Sequence, residues 1–256
     1  MSGFPPGLDP VEDLSPSLWV QEALKDWPSG PFRVRDLVPP VFEAYARILH
    51  RPRRPSDIRD PTGTWAERAR ERNVELRPET RWEDLERSRD DRWSLHEGSV
   101  SEGEVGTLLN LFGREGGGCW FAVWSGFAGP ATSSAYLLAD GSLRQRIVSA
   151  MIRLRERTSA ARARTRARRL PTFGLLSGGR SYLLFRGSIS DAAHLHREFQ
   201  FHPPTLWWPE DRAWFVHTEI DATSTYVGGS TVLIGRLVGE QILESFEVAP
   251  DDRAAL

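Results

Sequence analysis

The chain has 256 residues, a hydrophobic fraction of 39%, an aromatic fraction of 10% and a net charge of −2. That is enough apolar material for a packed core and too little charge for a general pull toward nucleic acid or an anionic membrane. No run of about 18 apolar residues is present, the first residues lack the basic start and apolar stretch of a secretory signal, and one cysteine, Cys119, excludes an internal disulfide, so a cytoplasmic protein without a membrane span is expected.

Residues 1–15, rich in proline and glycine, read as an irregular lead, and 16–256 as a single α+β domain. A first predicted helix has Ser15 as cap, Pro16 at its first position and Val20, Leu24 and Trp27 along one face. "FRVRDLV" reads as a short strand or extended link. Pro39 and Pro40 then open a second predicted helix, in which Val41, Tyr45, Ile48 and Leu49 keep a 3.6-residue period. Region 51–98 is polar, with Trp65, Trp82 and Trp93 as its main apolar anchors, and is expected to be a helical excursion on the surface. Capping boxes at Thr64/Glu67 and Thr80/Glu83 start two short helices there. A third box, Ser101/Glu104, starts a firmer helix carrying Val105, Leu108, Leu109 and Phe112, which Gly113 ends.

The period then changes. "CWFAVWSGF" is apolar at every position, as a strand covered on both faces would be. A long helix is predicted over 143–170; its stripe of Ile147, Met151 and Leu154 gives way to Arg162, Arg164, Arg166, Arg168 and Arg169. These arginines spread round a helix and lack interleaved aromatics, so nucleic acid is an unlikely partner. "TFGLL-SGGR-SYLLFRG" is a β-hairpin signal. Ser190 is placed to cap a short helix. Residues 213–220 are predicted as a strand, and Tyr226, Val227, Gly228 and Gly229 as a loop. Ser230 caps a helix carrying Leu233, Ile234, Leu237 and Val238, and 242–248 is a last strand. The expected fold is α+β, with a helical N-terminal half packed on a mostly antiparallel sheet formed by the C-terminal half.

Four segments, "GPFRVRDLVPPVFEAYARILH", "CWFAVWSGF", "YLLFRG" and "LWWPEDRAWFVHTEIDATSTYVGGS", together resemble a family of uncharacterised bacterial proteins. The resemblance implies an architecture and a set of candidate positions, and no reaction. The "LVPPVFEAYARIL" segment is also similar to immunity proteins of the SMI1/KNR4 type, which implies a toxin-binding, toxin-neutralising role.

Chemistry concentrates at 207–230. Alternation over 213–221 puts Trp214, Val216, Thr218 and Ile220 on one side of a strand and Phe215, His217, Glu219 and Asp221 on the other. Three ionisable groups two residues apart form either the wetted face of a one-sided sheet, a binding pocket, or part of a metal set that would draw on His194, His196 or His202. Gly228 and Gly229 before a capped helix could turn amides toward an anion. The expected binding surface comprises Trp207 and Trp208 as anchors with Arg212, Glu219, Asp221, Tyr226, Gly228 and Gly229. It would serve a protein partner or small ligand. The rival expectation is an enzyme with His217 as acid/base, Glu219 and Asp221 as orienters or metal ligands, and Tyr226 as donor. The histidine spacing fits no zinc helix and no glycine motif fits a nucleotide, so neither metal nor cofactor is expected. Cys119, in the most apolar stretch, reads as a small core hydrophobe.

Overall fold

Nine strands hydrogen-bond into one antiparallel sheet in the computed structural model, which describes residues 8–54, 61–86, 93–113, 117–128, 169–198 and 203–255. They are β1 (Asp9–Pro10), β2 (Ala44–Leu49), β3 (Gly118–Trp124), β4 (Thr172–Leu175), β5 (Arg180–Ser188), β6 (Leu206–Pro209), β7 (Phe215–Thr218), β8 (Ser224–Gly229) and β9 (Glu244–Val248). Their order is β1-β5-β3-β6-β7-β8-β2-β9, with β4 also paired to β5. The helices are α1 (Leu18–Ala23), α2 (Trp65–Arg72), α3 (Trp82–Leu85), α4 (Glu102–Phe112), α5 (Asp191–Glu198) and α6 (Thr231–Val238). None of them is long and apolar enough to cross a membrane.

The sheet is the middle of three layers. On one face Trp207, Trp214, Val216 and Val227 pack with Phe112 of α4, Leu195 of α5 and Ile234 of α6. On the other, Trp208, Phe215, Tyr226 and Tyr45 pack with Val20 of α1 and with Val34, Leu37 and Val38. Because both faces are covered there, the residues of β2, β6, β7 and β8 are buried without regard to parity, and each side of the sheet contributes its own core.

The predicted α+β class, the apolar strand at β3, the β4–β5 hairpin and the helix capped by Ser230 are all present. So are two of the three capping boxes, in which Thr64 and Ser101 accept from the amides of Glu67 and Glu104. Several expectations are overturned. The helix expected after Pro40 is the strand β2, which lies between β8 and β9. All six of its residues are buried, so its apolar spacing reflects two covered faces rather than one helical stripe. Strands β1, β2 and β3 come from the first half of the chain, so the sheet is not a product of the second half alone. The presumed loop at Tyr226–Gly229 is the end of β8. "FRVRDLV" forms a 3-10 turn at Val34–Asp36. Ser15 starts a 3-10 turn without a side-chain cap, and Trp27 stands out from the surface. Thr80 caps nothing of α3; its Oγ1 accepts from the Arg77 amide, and Asp84 accepts from the Arg81 amide instead. The 51–98 region encloses a small core of its own, with Trp65, Ala69, Trp82 and Leu85 packed against Leu49. Of the helix predicted over 143–170, only Arg169 and Leu170 fall within the described residues.

Gly228 shows why a glycine sits inside a central strand. A Cβ there would lie 2.4 Å from the Phe42 ring and 2.8 Å from Val38, closer than real contacts allow. Gly228→Ala is expected to destabilise the fold by about 1–3 kcal/mol through overpacking, read as a lower urea midpoint at unchanged slope.

Candidate functional site

Strand β7 carries the alternation read from the sequence, and its outcome differs from a dry-side, wet-side division. Leu206, His217, Tyr226, Arg47 and Phe246 stand in one register row across five strands and share a face. That face is covered by the α1 layer, so His217 and Glu219 are buried while Asp221, beyond the strand end, is exposed. Trp207 and Trp208 are each 1% exposed and point to opposite faces of the sheet. They are core residues and present nothing to a partner.

Of the predicted residues, the structure brings His217, Glu219 and Asp221 together, through a group the sequence reading missed. The His217 ring contacts the Leu37 carbonyl oxygen through Nδ1 at 2.7 Å and Glu219 Oε2 through Nε2 at 3.2 Å. Glu219 Oε1 accepts from Arg180 Nε at 2.8 Å and Nη2 at 2.7 Å. The same Nη2 reaches Asp221 Oδ2 at 2.5 Å. The chain of contacts thus runs from the buried turn at Leu37 to a carboxylate whose side chain is 65% exposed. Burial alone would raise the Glu219 carboxyl, yet hydrogen bonding and charge from His217, then from Arg180, hold it below its usual range. The Tyr182 hydroxyl is buried without a hydrogen-bond partner; burial, with the Glu219 charge adding, pushes it well up.

The remaining candidates lie elsewhere. Arg212, at a positive φ of 59°, sets its guanidinium 5.2 Å from the Trp19 ring centroid. Tyr226 Oη accepts from the Ala255 amide at 2.8 Å and tethers the C-terminal segment. Gly228 and Gly229 pair with Tyr45 and Ala44 inside the sheet, and the amide of Thr231 at the start of α6 already donates to Glu43 Oε2. The expected anion cradle is therefore filled by the protein itself. His194 pairs with Asp191 on α5, where His196 also lies, and His202 falls outside the described residues. Among the described residues no three His, Cys, Asp or Glu side chains converge as metal ligands would. Burial, aided by the charges of Asp211 and Glu210, pushes the Cys119 thiol up to about 12.

Arg180 sits where the β4–β5 hairpin closes, and that loop is unusual. Leu176, Ser177 and Gly178 take positive φ values of 52°, 55° and 81°. Two consecutive non-glycine residues in the left-handed region store strain that tertiary contacts must hold. Here the Leu176 and Ser177 amides donate to the Leu24 and Lys25 carbonyls just beyond α1, and the Trp27 amide donates to Ser177 Oγ. The loop is thereby fixed against Trp27, whose ring would lie 3.3 Å from a Cβ on Gly179 and which meets Phe32 edge-on at 5.2 Å. Trp27 remains 49% exposed. A cleft of about 460 Å³ lies apart from this corner, lined by Arg54, Glu67, Arg70, Glu71 and Trp93. Its charges are largely self-paired, Arg54 with Glu67 and Glu71 with Arg68.

Compared with known proteins, the chain matches no family model, no curated protein and no solved structure.

Proposed function

We propose that the protein is a cytoplasmic binding module that engages a protein partner at the corner formed by Trp27, Phe32, Arg180 and Asp221. The observation that carries this reading is the termination, on the exposed Asp221, of the Leu37–His217–Glu219–Arg180 network, whose arginine lies at the end of a strained turn against which the half-exposed Trp27 packs. A half-exposed tryptophan next to a fixed arginine–carboxylate pair has the composition of an interface hot spot. The buried network stiffens that corner, so little conformational freedom remains to be lost on binding. Asp221, and Asp26 next to Trp27 in the chain, are both exposed and suit a partner with basic side chains. The toxin-neutralising role suggested by the immunity-protein resemblance is one form of this reading. An acid–base enzyme is less well supported, because both His217 nitrogens and both Glu219 oxygens are already engaged within the fold.

The test is affinity capture from the source cell, identification of the captured protein, and titration of the purified pair. Trp27→Ala and Asp221→Arg should each raise Kd at least about tenfold, near 1.4 kcal/mol, while leaving the melting temperature nearly unchanged. Unaltered Kd in both variants sinks the assignment of this corner.

A further inference from the structure

We propose that residues 61–86, carrying α2 and α3, are a separable unit docked on the β2–β9 end of the sheet by two charged side chains, Arg47 and Glu244, and able to undock while the sheet stays folded. The unit has an apolar centre, in which Trp65 and Trp82 meet edge-on at 5.1 Å and which Leu49 of β2 and Phe246 of β9 close from the sheet side. Its two helices touch each other more than either touches any strand. Its base is drawn together by paired amide–carbonyl bonds between Arg53 and Ser94, at 2.7 and 3.0 Å. A unit closed at its base, whose helices pack chiefly on each other, is the kind that opens as a block.

Beside the apolar contact with Leu49 and Phe246, the ties to the sheet are polar, among them the Trp65 indole N–H, which donates to the His50 carbonyl at 2.8 Å. Arg47 is 1% exposed, and its Nη1 donates to the carbonyls of Pro78 at 2.6 Å and Thr80 at 2.8 Å. Its Nε donates to Ser224 Oγ, and its Nη2 is buried without a partner. The guanidinium lies 5.5 Å from the Trp65 ring centroid, and no carboxylate among the described residues stands within ion-pair distance. On the neighbouring strand, Glu244 accepts the first two amides of α2, from Trp65 at 2.6 Å and Ala66 at 2.8 Å. Arg47 pairs with Phe246 and Leu49 with Glu244, so both clamps leave the same face of adjacent strands.

A buried guanidinium with no ion-pair partner among the described residues and a half-buried carboxylate that accepts two amides are both better hydrated in an open state. Burial lowers Arg47 and raises Glu244 from their ordinary ranges, in keeping with that imbalance. Water entering the seam returns hydration to both ions, so this seam opens at a smaller free-energy cost than an apolar one of equal size.

Hydrogen exchange read by mass spectrometry on the full chain tests this. Amides of 65–85 should exchange as a block at least about tenfold faster than those of β2, β8 and β3. Arg47→Lys keeps the charge but cannot fork onto both carbonyls; it should speed that block at least a further tenfold with β3 and β5 unchanged. Exchange of 65–85 at the rate of the sheet in the wild type, or equal acceleration of block and sheet in the variant, overturns the proposal.

Discussion

Trp207→Ala is expected to remove about 3–5 kcal/mol of stability, lowering the melting temperature of a chain this size by roughly 6–20 °C. Trp207 meets Phe112 edge-on at 5.4 Å, Trp214 edge-on at 5.4 Å and Phe121 in a stacked pair at 6.4 Å. Truncation would leave a void among rings that cannot all collapse into it. Trp208→Ala should cause a similar loss on the opposite face, where its indole stacks on Phe215 at 5.8 Å and meets Trp19 at 6.0 Å. A surface anchor, by contrast, would shift stability by no more than about 0.5 kcal/mol. Calorimetry of the two variants therefore separates a core assignment of this Trp-Trp pair from an interface one.

Glu219→Ala should destabilise by about 3 kcal/mol, the lower end of the range for breaking a buried ion pair, because Arg180 can relax toward Asp221 and water. The pH dependence has a defined sign. The unfolded carboxyl titrates near its ordinary 4.5, and in the folded chain it lies lower. Its stabilisation is therefore complete above about pH 4.5 and is lost as pH falls through the folded value. Glu104 and Glu244 act oppositely, since burial raises both and folding then gains from their protonation. A comparison of the wild type with Glu219→Gln cancels those contributions. The stability gap between the two should be constant at neutral pH and shrink below about pH 4.5. A gap that stays constant down to pH 3 contradicts the His217–Glu219–Arg180 network.

The elements that were legible in the sequence are those with local signals. Thr64 and Ser101 were recognisable caps because each lies three residues before its glutamate, and "SGGR" marked the hairpin because its glycines separate two strand-like apolar runs. Strand β2 was misread because a strand buried on both faces carries no polar stripe to fix its period, and the spacing of Val41, Tyr45, Ile48 and Leu49 imitated a helical one. The Gly228-Gly229 pair suggested a break; its cause is the close packing of Phe42 and Val38, which lie some 190 positions earlier. At the site, the grouping of His217, Glu219 and Asp221 was visible as a two-residue repeat, but their burial was not. Parity shows which side chains share a face and not whether another layer covers it. Arg180 and the Leu37 carbonyl, 39 and 180 positions away from their partners, leave no local trace at all.

The placement of β2 between β8 and β9 bears on how the chain is made. Its hydrogen-bonding partners emerge from the ribosome some 175 residues (β8) and 195 residues (β9) after it does, an interval of roughly 10–40 s at ordinary elongation rates. Throughout that interval a mostly apolar ribbon, interrupted by Arg47, waits in the nascent polypeptide with two unsatisfied edges, so its protection falls to chaperones or to transient collapse. Synthesis that stops short of Ser224 leaves β2 without either neighbour, so residues 224–248 complete pairing begun some 180 positions earlier.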